Sequence, residues 1–355
     1  MTKKEWLDIG FDKGIIDLEN FEEITFLEAY REWFKMKMTF VKKQSLDRME
    51  CTYNRHYSGT DIENKYISKI TDTDIITYLM RCCLCSAMTY RELGRIMQII
   101  KGVLTYMRDI DRGGSPLHDW EKIKRNLPLE KLESGFKQEY AVSRADTEKL
   151  LHDVLVNKIY YQKHSASLCL CLNFYLGLRI GELAALSFSD FDLDKNVVRI
   201  TKTESKFYNR DEDGSRLGTM VYRVVDSTKT VYSVREIPLM PEALYIFEEI
   251  KKHHALKHYN SPYLAYDGNQ TVLIRSLDRT LRRLIQLCEL RRFSSHDIRK
   301  TFATILHHNG VPTRVISDLM GHSEIGTTEN CYILSYDNSY KEYLQYMRDA
   351  IKYVI

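Results

Sequence analysis

The chain has 355 residues, more than the about 100–200 residues of one ordinary domain, so its length predicts two domains. Hydrophobic residues make up 44% of it and charged residues 28%, proportions that exclude large-scale disorder and leave enough apolar side chains for two cores. The net charge of +3 is too small to indicate nucleic-acid binding by itself, so such a function has to be argued from motifs.

The first half of the chain has the periodicity of helices. Apolar residues recur at helical spacing in three runs: Phe26, Leu27, Tyr30, Trp33 and Phe34; Ile75, Ile76, Leu79 and Met80; and Leu93, Ile96, Met97, Ile100 and Leu104. Good capping residues, from Thr71 to Asp74, precede the second run. We therefore expect an all-helical domain over residues 22–127.

Basic residues gather around the first of these helices and on a later one. The set is Lys42, Lys43, Arg48, Arg55, Arg91 and Arg95. For any single member, a solvated helix face is a sufficient explanation of the charge. As a group they could follow a line of phosphates, so they are candidate DNA-binding residues.

A domain boundary is predicted in the middle of the chain. The helical pattern breaks at residues 112–116, and residues 127–138 are polar and irregular. The boundary should therefore lie between Pro128 and Tyr140, with a second domain over residues 139–355.

The second domain has mixed patterns. Helical signals over residues 146–156 and 165–176 precede three stretches rich in β-branched residues, at 197–200, 220–225 and 233–239. Residues 201–218 are interpreted as an insertion between strands, and helices return after Pro241. The expected fold class is mainly α with a small antiparallel β-sheet: an all-helical domain followed by an α+β domain.

Three strings in the second domain carry charged or reactive side chains. The first, from Gly177 to Leu183, holds Arg179 and Glu182 at a spacing that places both on one face of a helical turn. Taken alone, such a pair is more often a structural ion pair than part of a site.

The second string starts a helix. Ser294 and Asp297 fit a capping pattern, and the helix that follows them carries His296 and Arg299 one turn apart. A glycine and a proline further on are expected to end this helix and to begin another.

The third string follows that next helix. Gly321 is expected to end it and to expose His322, and Thr328 can cap a short helix that carries Tyr332.

Two clusters imitate metal sites. Asp190, Asp192 and Asp194 begin like a calcium loop, but Lys195 and Thr201 stand where that loop needs glycine and glutamate. The second cluster consists of His253, His254 and His258, whose lysine neighbours would repel a cation. We interpret it as a solvated basic face, and we expect no metal site.

The eight cysteines include Cys82, Cys83 and Cys85 in one apolar helical setting and Cys169 and Cys171 in another. This usage is typical of a reduced, cytoplasmic protein, and the spacing is not that of a zinc site. No run approaches the about 18 apolar residues of a membrane span, so we expect no membrane contact.

The three strings, together with a strand segment between them, resemble the catalytic domain of tyrosine recombinases, the integrase family of phages and conjugative transposons. Four segments occur in the family's order: GLRIGELAALSFSDFDL, STKTVYSVREIPL, SHDIRKTFATIL and LMGHSEIGTTENCY. Any one of them is weak evidence, but all four in order make a chance match very improbable. The insertion at residues 201–218 resembles the conjugative-transposon branch.

The resemblance implies six active residues and one supporting acidic residue. They are Arg179, Lys229, His296, Arg299, His322 and Tyr332, with Glu182 as the supporting residue. Lys229 begins a Lys-Thr-x-x-Ser-x-Arg stretch that ends at Arg235. Tyr336 and Tyr340 compete with Tyr332 for the role of nucleophile, but only Tyr332 has the family's spacing to the Gly-His pair. Two departures, Lys300 in place of a common histidine and Ile333-Leu334 in place of Thr-His, touch no catalytic role.

The resemblance also implies the reaction and its partners. Such an enzyme cleaves and rejoins double-stranded DNA through a 3′-phosphotyrosyl intermediate without cofactor, metal or ATP, and it works as a homo-tetramer, with accessory excision or bending proteins as further candidates. Its C-terminal helix commonly docks on a neighbouring protomer. Residues 22–127 resemble the family's core-type DNA-binding domain. Only about twenty residues precede this domain, too few for the arm-binding domain that many integrases carry. We therefore expect the arm-binding domain to be missing.

The biological role implied is integration or excision of a mobile element, and two alternatives stay open. One is a dimer resolvase of the same family, which the missing arm-binding domain supports. The other is a DNA-binding relative that has lost catalysis, and the complete set of six active residues speaks against it.

Overall fold

The computed structural model describes residues 23–84, 88–133, 141–159, 165–226, 234–266 and 274–321. The chain divides into two compact units between Lys137 and Gln138, and residues 207–221 group with the first unit although they come from the second half of the sequence. Within the described residues, no helix is both long enough and apolar enough to cross a membrane.

Helices build the N-terminal part of the first unit. They are α1 (Phe26–Met38), α2 (Lys43–His56), α3 (Asp72–Leu84), α4 (Tyr90–Asp109) and α5 (Trp120–Arg125). Most residues of the apolar runs read from the sequence are buried on the inner faces of α1, α3 and α4, although Met80 is exposed, and the helical prediction for this region is confirmed. The predicted cap of α3 is also present, because Asp74 accepts hydrogen bonds from the backbone N–H and hydroxyl of Thr71 at 2.8 and 2.7 Å.

Aromatic side chains dominate the core of this unit. Trp33 and Tyr57 are almost fully buried, and Tyr30 and Tyr53 stack with ring centroids 3.7 Å apart. The Trp33 ring lies so close to α4 that a Cβ on Gly102 would come within 2.7 Å of it. Glycine at this position lets the large ring fill the space between α1 and α4.

The second unit surrounds one fully buried helix. Its helices are α6 (Arg144–Leu155), α7 (Ala166–Leu176), α8 (Ile180–Ala185), α9 (Pro241–Leu256), α10 (Ile274–Leu287), α11 (Ser295–His308) and α12 (Thr313–Met320). Every residue of α7 is buried, and α6, α9, α10 and α11 pack around it. A helix that is apolar on nearly all sides suits such a central position.

A small antiparallel sheet completes the core of the second unit. Its strands are β1 (Phe191–Asp192), β2 (Val197–Ile200) and β5 (Arg235–Pro238), in the order β1-β2-β5. Val198 pairs with Phe191 on one side and with Ile237 on the other, and all three side chains face the core. The predicted fold class, mainly α with a small antiparallel sheet, is confirmed.

The predicted insertion at residues 201–218 is, in the structure, mostly strand. Strands β3 (Lys202–Arg210) and β4 (Arg216–Asp226) form a separate two-stranded sheet, and only the short turn between them is irregular. The sequence pattern predicted no strand at residues 202–210, because this ribbon is polar. Most of its side chains are partly or fully exposed, so the sequence lacks the alternation of apolar and polar residues that signals a strand.

The tip of the β3–β4 hairpin is packed within the first unit. The Arg210 side chain is 4% exposed, and it donates to Asp47 and Glu50 of α2 at 2.6 Å each. In the turn, Gly214 has φ +88°, and a Cβ there would come within 3.2 Å of the ring of Phe34 in α1. Both the left-handed backbone and the close approach favour glycine at this position.

The histidine cluster on α9 does not have the environment predicted for it. His253 and His254 are buried, whereas His258 and the neighbouring lysines are exposed. His254 lies edge-on to Phe188 and hydrogen-bonds the carbonyl of Leu264 at 3.0 Å. Burial lowers the pKa of His254. The solvated-face interpretation was therefore wrong for these two side chains, because α9 turns them toward the core.

Candidate active site

The position of Arg179 depends on how α7 ends. Gly177 closes α7 in the left-handed conformation, with φ 58°, and a Cβ there would overlap the Phe302 ring. The buried Asn173 amide then holds the turn, since it accepts from the N–H of Leu178 at 2.7 Å and donates to its carbonyl at 3.2 Å. Arg179 follows directly as the N-cap of α8.

Arg179 and Glu182 form the ion pair expected from their spacing. The Glu182 carboxylate accepts from the backbone N–H of Arg179 at 2.9 Å and from its Nη1 at 2.9 Å. Gly181, the residue before Glu182, lies against β3, where a Cβ would come within 2.6 Å of the Thr203 hydroxyl. The Glu182 side chain is 2% exposed and that of Arg179 is 43% exposed, so only the arginine reaches solvent.

Arg299 approaches the same carboxylate from α11. Its Nη1 lies 3.9 Å from Glu182 and donates to the carbonyl of Gly177 at 2.8 Å. The predicted cap of α11 is present, with Asp297 accepting from Ser294 at 2.7 Å. His296 lies in the first turn of α11 and is exposed, one turn before the buried Arg299.

A third arginine, Arg235, was not among the predicted site residues. From the start of β5 it donates to both oxygens of Glu182, at 2.8 and 3.2 Å. A signal for it was present in the sequence, because β-strand alternation places Arg235 on the same face as the buried Ile237. An arginine on the core face of a strand needs a charged partner, and Glu182 is that partner.

The same three arginines hold the end of α12. Arg235 Nε donates to the carbonyl of Leu319 at 2.6 Å, Arg299 donates to that of Met320, and Arg179 donates to that of Gly321 at 2.9 Å. A helix leaves its last carbonyls without partners and carries partial negative charge there, so cations stabilise it. We refer to Arg179, Arg235, Arg299, Glu182 and these carbonyls as the arginine cluster.

The charge balance of the arginine cluster explains the state of its one carboxylate. Burial alone would raise the pKa of Glu182, but the hydrogen bonds and charge of Arg235, and then the charges of Arg299 and Arg179, outweigh burial and lower the pKa to about 2. Glu182 is therefore ionised at neutral pH. Three guanidinium groups around one carboxylate leave a net positive charge, which suits the binding of an anion such as a phosphate.

The structure brings together three of the predicted residues, Arg179, Arg299 and Glu182, from separate parts of the chain. His322 follows Gly321 directly in the sequence, at the point where the arginine cluster holds the chain. His322 itself, like Lys229 and Tyr332, lies outside the described residues.

The predicted DNA-binding residues lie on two helices of the first unit. Lys43, Arg48 and Arg55 are on α2, with Lys42 as its N-cap, and Arg91 and Arg95 are on α4. All are exposed except Arg95, which is partly buried.

Half of this set is engaged in contacts within the first unit. Glu92 of α4 lies 2.8 Å from Arg95 and 3.7 Å from Arg55, and Lys43 reaches Asn209 of the hairpin at 3.3 Å. Within the described part of the chain, Lys42, Arg48 and Arg91 are exposed and form no ion pair.

Known proteins resemble this chain in sequence. A XerC-like tyrosine recombinase of Caldanaerobacter subterraneus subsp. tengcongensis is 24% identical over 352 residues, which cover 93% of this chain and 83% of that protein. The transposase of transposon Tn916 from Enterococcus faecalis is 24% identical over 207 residues, covering 52% of this chain and 45% of that protein. The chain thus spans less than half of the Tn916 transposase.

Solved structures resemble it in fold. The Tn1549 transposon integrase in complex with circular-intermediate DNA matches with a TM-score of 0.63 and 18% identity, over 91% of this chain and 100% of that one. The XerH recombinase bound to its difH substrate matches with a TM-score of 0.56 and 14% identity, over 91% and 97%.

The model of the phage integrase family matches residues 143–339, which is more than half of the chain and includes the whole arginine cluster. The recombinase motifs, the fold and this match agree, and the chain therefore belongs to the phage integrase family of tyrosine recombinases.

Proposed function

We propose that this chain recombines double-stranded DNA at specific sites, cutting each strand through a 3′-phosphotyrosyl link to Tyr332. One observation supports this most strongly: Arg179 and Arg299, which are 120 positions apart, meet at one buried carboxylate. A buried group of arginines with net positive charge is costly to maintain unless an anion binds to it. The scissile phosphate is that anion.

The arginines hold the phosphate and stabilise the transition state. Guanidinium groups never lose their charge at neutral pH, and their planar N–H groups match the non-bridging oxygens of a phosphodiester. Arg179 is the arginine of the cluster that reaches solvent, so it makes the outer contact with the phosphate. Arg299 is buried beside the same carboxylate and contributes its charge from the protein interior. The hydrogen bonds that its guanidinium donates to backbone carbonyls fix its orientation before DNA binds.

The remaining predicted active residues carry out the proton transfers. A tyrosine hydroxyl has an ordinary pKa of about 10, so Tyr332 needs a base or cationic surroundings to attack at neutral pH. His296, exposed one turn before Arg299, is the candidate general base, and His322 donates a hydrogen bond to the phosphate. Lys229 protonates the leaving 5′ oxygen as general acid.

The bonds balance without a cofactor. Attack by Tyr332 breaks the bond between phosphorus and the 5′ oxygen and forms the tyrosyl ester, and attack by a 5′ hydroxyl reverses the exchange. The ester keeps the phosphodiester energy, so rejoining needs no ATP. Charge is handled by arginine, histidine and lysine, so we expect no metal ion to take part.

Binding extends beyond the scissile phosphate. We propose that Lys42, Arg48 and Arg91 contact DNA phosphates from α2 and α4, where they are exposed and form no ion pair among the described residues. Four protomers, each on one half-site, exchange two pairs of strands. Docking of the C-terminal helix on a neighbouring protomer, as is common in the family, would link the protomers. Accessory excision or bending proteins are further partners.

The biological role that we favour is integration and excision of a mobile element. Its support is the likeness to the Tn916 transposase and to the Tn1549 integrase fold. Resolution of DNA dimers is the second candidate, and the XerC-like relative, aligned over 93% of this chain, favours it.

Covalent trapping on genomic DNA tests the reaction and identifies the DNA site in the same experiment. The wild-type chain is incubated with sheared genomic DNA of its source organism, lightly nicked so that a short strand end diffuses away after cleavage and the tyrosyl link persists. DNA that stays bound through denaturation in detergent is sequenced. We expect a small set of enriched sites with wild type and none with Tyr332→Phe. Absence of detergent-resistant DNA from the wild-type sample would refute the proposed reaction.

The recovered site then separates the two roles. An integrase should join two plasmids that each carry one site, whereas a resolvase should mainly delete the segment between two directly repeated sites on one plasmid. Deletion without intermolecular joining would overturn the mobile-element role and leave the recombinase chemistry intact.

A further inference from the structure

Arg235 occupies a position where a charged side chain is unusual. Strand β5 has alternating burial, with Arg235 and Ile237 facing the core and Glu236 exposed. The Arg235 side chain is 5% exposed. Burying a guanidinium is costly unless its N–H groups are satisfied, so the contacts of this side chain indicate what it does.

Those contacts join three separate elements. The fork of Arg235 binds both oxygens of Glu182 in α8, and its Nε binds the carbonyl of Leu319 at the end of α12. A bidentate pair of this kind fixes angles as well as distance. Arg235 therefore sets the orientation of the carboxylate and of the end of α12 at the same time.

The orientation of the carboxylate matters because Arg179 uses it. Glu182 Oε1 accepts from Arg179 Nη1 at 2.9 Å, and the same oxygen accepts from Arg235 at 3.2 Å. Rotation of the carboxylate would therefore move the guanidinium of Arg179. In the proposed reaction, that guanidinium makes the outer contact with the scissile phosphate.

The end of α12 matters because it leads directly into a predicted active residue. The carbonyls of Leu319, Met320 and Gly321 are bound in succession by Arg235, Arg299 and Arg179. The next residue in the sequence is His322. Arg235 thus holds the first of the three carbonyls that fix where the chain leaves the helix.

We propose that Arg235 is a positioning residue for strand cleavage, which orients Arg179 through Glu182 and fixes the end of α12 ahead of His322. The proposal rests on the recombinase function given above. It assigns Arg235 no contact with DNA, so its loss should slow cleavage without weakening DNA binding.

A simple structural ion pair would predict a different outcome. It would predict loss of folding stability, with the remaining folded molecules cleaving at the normal rate. A positioning residue predicts a slower rate per bound molecule, because misplacement of a catalytic group by about 1 Å can cost on the order of 100-fold.

The experiment compares single-turnover cleavage with DNA affinity on one duplex. The probe is the site recovered by covalent trapping, nicked to prevent rejoining, and the variants are Arg235→Met and Arg235→Lys. Arg199→Met is the matched control, since Arg199 lies on the adjacent strand β2 but faces outward, where it pairs with Glu236 and Asp192. We expect Arg235→Met to form the covalent adduct about 100-fold more slowly with an unchanged Kd. Arg235→Lys should cleave at an intermediate rate, and Arg199→Met should cleave at the wild-type rate.

A pH profile and a double variant separate positioning from general damage. Without Arg235, the buried Glu182 should protonate within the accessible range, so the cleavage rate of Arg235→Met should fall toward about pH 5 more steeply than that of wild type. Glu182→Gln combined with Arg235→Met removes this buried pair, and it should cleave faster than the product of the two single losses predicts, because part of the effect of Arg235 is transmitted through Glu182.

Two results would overturn the inference while leaving the recombinase function intact. The first is cleavage by bound Arg235→Met at the wild-type rate. The second is a double variant in which the two losses multiply, since Arg235 would then act independently of Glu182. Failure of the wild-type chain to form any adduct would instead count against the proposed function. If Arg235→Met does not fold, the lysine and double variants give the same two comparisons.

Discussion

Glu182 binds Arg179 twice, once through the backbone N–H at 2.9 Å and once through Nη1 at 2.9 Å. The Glu182 side chain that pairs with the Arg179 guanidinium thus also caps α8, the helix whose N-cap residue is Arg179. The Glu182 carboxylate must be ionised to make both of these contacts and to accept the hydrogen bonds from Arg235. The stability of the second unit therefore depends on the charge state of Glu182.

Acid should destabilise the second unit through this carboxylate. The pKa of Glu182 is lowered from 4.5 to about 2 in the folded protein, so its contribution is complete above pH 4.5 and is lost as the pH falls toward 2. The shift corresponds to on the order of 3 kcal/mol. Urea unfolding between about pH 6 and 3 should therefore show a shallower decline for Glu182→Gln than for wild type.

The control for acid unfolding is Glu236→Gln, since Glu236 is exposed on the same sheet and pairs with Arg199. It should keep the wild-type pH dependence. Equal slopes for Glu182→Gln and wild type would mean that Glu182 is not the carboxylate responsible.

The nucleophile and the general acid can be separated by the leaving group. A substrate with sulfur in the bridging 5′ position leaves as a thiolate, whose parent thiol has a pKa of about 8.5 and needs little protonation. Lys229→Ala should be nearly inactive on normal DNA and largely active on the sulfur substrate, whereas Tyr332→Phe should form no adduct on either. The measurement is the covalent adduct on denaturing gels. Equal failure of Lys229→Ala on both substrates would remove the lysine from the acid role.

DNA affinity should fall steeply with salt if phosphate contacts dominate it. A protein with 6–10 such contacts loses about 10³–10⁵ in affinity between 50 and 200 mM salt. Arg48→Gln and Arg91→Gln should each reduce the slope of log affinity against log salt by about 1. Fluorescence anisotropy measures this, with Lys251→Gln, an exposed lysine on α9, as the control. A flat salt response in wild type would contradict the proposed contacts.

Cleavage and rejoining should survive removal of metal ions. The proposed reaction balances charge with arginine, histidine and lysine, so incubation with EDTA should leave the rate of adduct formation unchanged. The measurement is the same adduct assay with and without chelator. Activity that disappears in EDTA and returns with magnesium would show that the chemistry has been misassigned.

The buried arginine of the hairpin should support the stability of the first unit. Arg210→Met removes the partner of Asp47 and Glu50 and should cost about 3 kcal/mol in the free energy of unfolding, the scale for breaking a buried ion pair. Arg216→Met is the comparison, because Arg216 also pairs with Glu50, at 2.7 Å, but is partly exposed and should cost no more than about 1 kcal/mol. Chemical denaturation of both variants decides whether burial makes the difference.

Local patterns predicted local structure well. The caps at Thr71 and Ser294, the helical runs of the first half and the Arg179–Glu182 pair all depend on residues three or four positions apart, and the structure contains them all. The two sheet strands at 197–200 and 235–238 carry alternating side chains against a core and were also anticipated.

The features that the sequence analysis missed or misread share one cause, since each depends on tertiary context. The β3–β4 ribbon is not stabilised by an apolar face, so its sequence resembles a loop. His253 and His254 occur among lysines in the sequence, but the side of α9 that faces the core decides their burial. The pairing of Arg235 with Glu182 joins residues 53 positions apart and becomes visible only in the folded chain.

The β3–β4 hairpin also affects how parts of this protein can be exchanged with those of its relatives to make chimeras. Residues 207–221 lie in the first unit, while the chain on either side of them lies in the second, so neither unit is one continuous stretch of the gene. A chimera that joins the first 137 residues to a foreign catalytic domain would lose Arg210 and leave Asp47 and Glu50 without this ion-pair partner. A grafted helical unit therefore has to be transferred as two pieces, with the hairpin tip moved together with α1 and α2.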